Sequence, residues 1–166
     1  MMITTVRGKM RIADFDLEFD PDKPEASTVR VSLDASSIDT GHEQRDQHLR
    51  SADFLQTDDH PTIEFRSTAV IRDGSDYRLH GDLTIRGETR PVVLDAEFGG
   101  IVPNLQGGQR IAFSATTTIN REEFGLTWNV ALEQGGWLVS RNIKVEVDIA
   151  AVSSVTDAVA QAEAES

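Results

Sequence analysis

The chain has 166 residues, enough for one domain with a sizeable core, and its 39% hydrophobic content is compatible with a folded globule. A formal net charge of −12, from 28 Asp and Glu against 16 Lys and Arg with no basic run, repels phosphate backbones and anionic headgroups, so neither nucleic acid nor stable membrane insertion is expected. Without cysteine there is no disulfide, thiol nucleophile or thiolate metal site, and no run of about 18 apolar residues is present to span a bilayer.

Period-two alternation dominates the chain, which sets one face of each strand against an apolar interior. Phe15, Leu17 and Phe19 alternate with Asp16 and Glu18, whereas Met10 and Ile12 hold the opposite parity; the shift predicts a bulge near Ala13-Asp14. Asp20-Pro21-Asp22-Lys23-Pro24 breaks that strand, and Val29, Val31 and Leu33 resume the pattern before the turn-rich Ser36-Ser37-Ile38-Asp39-Thr40-Gly41. There the period changes. Thr40-Gly41-His42-Glu43 has the spacing of a capping box and Asp46 with Arg50 that of an i,i+4 ion pair, predicting a short helix over residues 41–51, pinned by Leu49 and Phe54.

After His60-Pro61 a strand is expected over residues 62–72, and Asp73-Gly74-Ser75-Asp76 turns the chain into another that begins near Tyr77. Leu79, Leu83 and Ile85 keep one parity with Gly81 between them; beyond the glycine turn at Gly87, Val92, Leu94, Ala96 and Phe98 keep one parity on the return, a hairpin. Gly99-Gly100 and Gly107-Gly108 bracket an expected loop, and Ile111, Phe113, Ala115, Thr117 and Ile119 carry the next strand to a turn at Asn120-Arg121-Glu122-Glu123. Gly135-Gly136 precedes a last strand expected from Trp137 to about Ala150, which would leave residues 1–150 as the domain and 151–166, rich in Ala, Ser and Glu, as a frayed or weakly helical tail. Many strands with one helix predict an all-β barrel or sandwich. A barrel of about eight strands has room inside for packed side chains or one slender ligand, so fold alone leaves core and pocket both open.

Several motifs stand in order along the chain: Val6-Arg7-Gly8, Ser37-Ile38-Asp39-Thr40-Gly41, Arg45-Asp46 with Leu49-Arg50-Ser51-Ala52-Asp53-Phe54, and His60-Pro61-Thr62-Ile63 with Phe65-Arg66-Ser67. Gly81-Asp82-Leu83-Thr84-Ile85-Arg86-Gly87 to Pro91, Phe113-Ser114-Ala115, and Ile119-Asn120-Arg121 with Phe124-Gly125-Leu126 continue them. Together they resemble the YceI-like family of bacterial lipid-binding proteins. The resemblance implies an extended lipocalin-like antiparallel β-barrel that stores or transports a long polyisoprenoid, free or carrying a quinone or phosphorylated head, in a tunnel along its axis. It implies an apolar small-molecule ligand as partner, with no catalytic residue, no cofactor and no metal. One departure is that the family's first strand, ahead of the segment matching Met1 to Val6, is missing, so one strand fewer and an unpaired seam are expected. Such a seam invites strand pairing between chains, with a homodimer as the self-association expected. As written the chain has no signal peptide and is expected in the cytoplasm; a start further upstream would restore the strand and open a periplasmic or secreted location.

The candidates for lining the tunnel are Phe15, Leu17, Phe19, Val31, Ile63, Phe65, Leu83, Ile85, Leu94, Phe98, Ile111, Phe113, Trp128 and Val145. Patterning alone makes them core; the resemblance turns about half of them into lipid contacts, since each buried methylene contributes about 0.8 kcal/mol without any directed polar partner. Arg45, Arg50, Arg86, Arg90 and Arg121 offer planar donor forks for a head group at a barrel mouth, against the plainer reading of surface or structural arginines. His42, His48, His60 and His80 lack metal-ligand spacing, and Ser36 and Ser37 lack the glycine-flanked setting of a nucleophile. Two alternatives remain at this point: a barrel enzyme acting on a small apolar substrate through His80 or Asp82, whose parity points them outward, and a structural stress protein with no ligand.

Overall fold

The alternating segments form seven strands: β1 (Lys9–Glu18), β2 (Thr28–Asp39), β3 (Thr62–Asp73), β4 (Asp76–Ile85), β5 (Glu88–Pro103), β6 (Gln109–Asn120) and β7 (Asn142–Ser153), with helix α1 (Glu43–Arg50) between β2 and β3. The computed structural model describes residues 5–20, 22–133 and 138–153. Every strand pairs antiparallel with the next, giving one sheet in the order β1-β2-β3-β4-β5-β6-β7. The right-handed twist of neighbouring strands curls that sheet into a half-barrel. Phe19, just past β1, thereby brings its ring to 5.1 Å from those of Phe98 on β5 and Phe113 on β6. Among the described residues β1 and β7 exchange no ladder pairs, so the seam expected from the sequence is present.

Turns and bulges follow local chemistry. Arg86 and Gly87 both have positive φ, 52° and 74°, the two left-handed residues that a tight hairpin between twisted strands requires. The bulge expected near Ala13-Asp14 is a register shift between Ile12 and Asp14. Two further bulges change what the alternation implies. A shift between Ser67 and Ala69 turns Val70 inward and leaves Ile71 exposed, although Ile71 has the parity of Ile63 and Phe65. Gly99-Gly100, expected to open a loop, lies inside β5: Gly100 adopts φ 105° at a shift between Phe98 and Gly100, and the strand runs on to Pro103. The connecting loop is therefore only residues 104–108.

Other boundaries move. β7 starts at Asn142 and continues to Ser153, so the strand outlasts the expected domain end at 150; Gly135, Gly136, Trp137 and the tail from 154 lie outside the described residues. Helix α1 falls within the expected 41–51 but is capped differently. His42 is its N-cap, its Nδ1 accepting from the Arg45 N–H at 3.3 Å, while Thr40 and Glu43 form no capping box. Asp46 does not pair with Arg50. It accepts the Thr40 N–H at 2.9 Å together with the Thr40 hydroxyl, and Arg50 Nη2 lies 3.5 Å from Glu43 Oε1 instead.

The core has two parts. At the α1 end, Ala35, Phe54, Leu55, Ile63, Ile85, Ile119, Phe124 and Leu126 are buried together, with Leu49 packed against them, so Leu49 and Phe54 do pin the helix. Midway along the sheet Val70, Leu79 and Leu94 form a smaller group, with Val29, Phe65 and Tyr77 at its side.

Candidate functional site: an apolar trough

The concave face of the half-barrel encloses about 1070 Å³ of atom-free space, part of it open to solvent. Its wall comes from the inward parity of all seven strands: Phe15 and Leu17 from β1, Val31 and Leu33 from β2, Ile63, Phe65 and Val70 from β3, and Leu79 and Leu83 from β4. Val92, Leu94 and Ala96 continue it on β5, Phe113, Ala115 and Thr117 on β6, and Val145, Val147 and Ile149 on β7, with Phe19 and Tyr77 toward one end. The other end is filled by the core at α1.

Two of the hydroxyls in the wall are engaged elsewhere. Thr117 Oγ1 donates to the Val93 carbonyl at 2.8 Å, and Ser27 Oγ accepts the Asp20 N–H at 3.2 Å. The surface left to a ligand is hydrocarbon. Phe65 lies so closely over Gly81 that a Cβ there would come within 2.4 Å of the ring, so glycine at this position is what lets the ring lie flat along the wall.

The YceI-like domain family matches residues 1–151. The chain belongs to the YceI-like family. Among curated relatives, a UPF0312 protein of Staphylococcus epidermidis is 38% identical over 149 residues, covering 88% of this chain and 84% of the relative. A UPF0312 protein of Pectobacterium atrosepticum is 44% identical over 116 residues, covering 69% of this chain and 60% of the relative. Among solved structures, a Campylobacter jejuni YceI protein mutant with a monobromobimane guest superposes with a TM-score of 0.82 at 27% identity, covering 93% of this chain and 88% of the other. BcnA of Burkholderia cenocepacia, at 19% identity and a TM-score of 0.66 over 88% of this chain and 84% of that one, shares the fold. These YceI-like barrels agree with the all-β, lipocalin-like architecture expected from the sequence.

Ten of the fourteen expected lining residues meet in the trough: Phe15, Leu17, Phe19, Val31, Ile63, Phe65, Leu83, Leu94, Phe113 and Val145. Four do not line it. Ile85 is buried in the α1-end core, and Trp128 packs there against Phe54 and His48, with ring centroids at 5.3 and 4.5 Å. Ile111 is buried one rung beyond the trough, beside Ile101 and Ala151. Phe98 stands at the rim, 5.1 Å from the Phe19 and Phe113 rings that do line the cavity. Of the residues left off, Val29, Leu33, Leu79, Val92, Ala96, Ala115, Val147 and Ile149 carry the same alternation, which was signal enough to include them. Val70 had no such signal, because a bulge turns it inward.

The arginines expected at a mouth are held elsewhere in this YceI-like chain. Arg121 is almost wholly buried: Nε donates to Ser140 O at 2.7 Å, Nη1 to Leu126 O at 2.5 Å and Trp128 O at 2.9 Å, and Nη2 to Val139 O at 3.3 Å. Burial pulls its pKa down, partly offset by Glu122. Arg45 donates to the Thr40 hydroxyl and carbonyl, both at 2.8 Å, and Arg90 to the Thr89 carbonyl and toward Glu88. Arg86 occupies the β4–β5 turn. Among the described residues no three His, Asp or Glu are grouped to hold a metal; His48 instead meets Asp53 at 2.8 Å. His80 and Asp82 are absent from the trough wall, in keeping with their outward parity, and no helix among the described residues is long and apolar enough to cross a membrane.

Proposed function

We propose that the protein binds a long polyisoprenoid lipid in the trough and stores or carries it. The observation that supports this reading is a trough on the concave face, partly open to solvent, whose exposed wall is hydrocarbon and is built by all seven strands. On β4 the wall runs from Tyr77 to Leu83, roughly 20 Å at about 3.3 Å per residue, long enough for several isoprene units in extended form. Such a wall selects by length and flexibility rather than by head group, because apolar burial is non-directional. The summed methylene term does not translate into affinity directly, since ordering a flexible chain costs entropy and non-covalent affinities saturate near about −20 kcal/mol. Because core fills the α1 end, the head group belongs at the opposite end, beside the packed rings of Phe19, Tyr77 and Phe113.

Native mass spectrometry of protein purified from bacterial cells tests the reading first, with a discrete adduct spaced by isoprene units expected. Solanesol, a long prenyl alcohol, then serves as probe against two variants of adjacent residues. Leu83→Arg puts a charge into the trough, whereas Thr84 points outward and shares a 2.8 Å hydroxyl contact with Thr89. Leu83→Arg is expected to weaken solanesol binding by about tenfold or more and Thr84→Arg by less than about twofold. Matching circular dichroism and melting curves establish that both variants are folded. Equal binding by folded variants, or no binding by the parent protein, overturns the proposal.

A further inference from the structure

The β5–β6 hairpin, with the end of β7 beside it, reaches past the start of β4. β4 begins at Asp76 and its partner Tyr77 faces Ala96, so residues 98–103 of β5 have no β4 neighbour. At about 3.3 Å per residue this arm projects roughly 20 Å beyond the end of β4. On the trough side the Phe98, Phe113 and Ile149 rung is followed, past Gly100, Ala112 and Ala150, by Ile101, Ile111 and Ala151; Val102, Arg110 and Val152 form the next rung, on the opposite face. Ile101, Val102 and Val152 are exposed, and Leu105 in the tip is fully so.

Charge is distributed as sharply. The last carboxylates along the arm are Glu97 and Asp148, facing each other across Ser114. Beyond that rung, residues 98–111 and 149–153 contain no Asp or Glu, in a chain with 28 of them, and Arg110 is their one charged residue. Asp73, Asp76, Asp95 and Glu97 cluster at the base. A surface met by the tip stands roughly 20 Å from that cluster, more than two Debye lengths at physiological salt, where the barrel's negative field is largely screened.

We infer that the β5–β6 arm is a docking surface for a phospholipid bilayer, its exposed aliphatic tip entering the interface while Arg110 meets lipid phosphate. An exposed aliphatic cluster without carboxylates among the described residues of the arm favours an apolar, anion-bearing surface over a protein face of unknown charge, and the continuity of Ile101 and Ile111 with the trough face gives a lipid a path between the two. The path rests on the proposed polyisoprenoid cargo; the docking does not. Binding is reversible and weak, because only a few side chains are buried and the protein as a whole carries negative charge.

Flotation with phosphatidylcholine vesicles reads the docking without any cargo, and solanesol binding in detergent reads the trough without any membrane. The parent protein is expected to float with the vesicles, and the double variant Val102→Asp, Leu105→Asp to lose vesicle affinity by about tenfold or more while binding solanesol in detergent as before. Solanesol transfer from vesicles should slow in the same variant. Flotation of both proteins alike, flotation of neither, or a change of oligomeric state in the variant that accounts for the loss overturns the docking assignment. Flotation that depends on the tip with no solanesol binding leaves the docking standing and removes the cargo instead.

Discussion

Arg121 shows how far one residue's role depends on its surroundings. It is one of the two largest fully buried side chains of the described residues, and all its partners are the main-chain carbonyls of Leu126, Trp128, Val139 and Ser140. Three of these carbonyls would be left without a donor if it were removed, the Val139 carbonyl keeping the Asn129 amide at 2.8 Å, and an unsatisfied buried acceptor costs about 1–3 kcal/mol. Arg121→Ala is therefore expected to lower unfolding stability in urea by about 3 kcal/mol or more, with no specific effect on the affinity of the protein that remains folded. A loss below about 1 kcal/mol would mean that water replaces the guanidinium at little cost. By contrast, the exposed pair of Arg50 with Glu43, at 3.5 Å, contributes about 0–1 kcal/mol at most, because solvent screens it and two long side chains must be ordered. Arginine alone in a sequence does not distinguish these cases. The motif Ile119-Asn120-Arg121 marks the position, but its carbonyl partners lie up to nineteen residues away and meet only in the fold.

At the scale of elements, α1 is tethered backwards to the end of β2 rather than stabilised along its own length. Asp46 accepts both the N–H and the hydroxyl of Thr40, and these hydrogen bonds, with lesser attraction from Arg50 and Arg45, hold its carboxyl below the ordinary carboxylate range against a desolvation cost. A carboxylate whose pKa is lower folded than unfolded stabilises the protein above its unfolded value, about 3.9, and loses that contribution as pH falls through the folded value. Asp46→Asn keeps an acceptor and removes the charge, so its melting temperature should fall below the parent's at neutral pH and converge with it as pH drops below about 4. A gap that stays constant with pH would assign the tether to geometry alone. Spacing suggested Asp46 with Arg50 and Thr40 with Glu43, both legitimate helical pairs. Thr40 lies just outside the helix, where its donors point at Asp46 one turn on, and so the tertiary junction displaced both pairs.

Across the whole molecule, the sheet is a meander whose two edges do not pair among the described residues, and the trough lies on its concave face. An apolar trough open to water is a stability deficit, and the proposed ligand would fill it, so binding and folding would be linked. Solanesol at about 100 times its dissociation constant should add about 2.7 kcal/mol and raise the melting temperature by roughly 5–10 °C for a domain of this size. Differential scanning calorimetry checks this; a shift within about 1 °C under conditions of saturation would remove the trough as the binding site.

The alternation of apolar residues by itself determined the run of antiparallel strands and the inward face of the ten residues that meet in the trough, because period two is a property of adjacent residues and needs no distant partner; a change of period marked the short helix after β2. The ordered motifs by themselves marked the family. Bulges decided the rest. One turned Val70 in and Ile71 out, and another carried β5 through two glycines into an arm that had read as a loop. A bulge exists only where two strands pair with unequal residue counts, so its position belongs to the partner strand as much as to its own. Which inward residues face a cavity and which fill a core was likewise set by curvature: at the α1 end Phe54, Phe124 and Leu126 close over Ile85, whereas Phe15, Val31, Leu83 and Val145 further along the sheet line open space. Parity chooses a face, and only the path of the whole sheet determines how far that face lies from the one opposite.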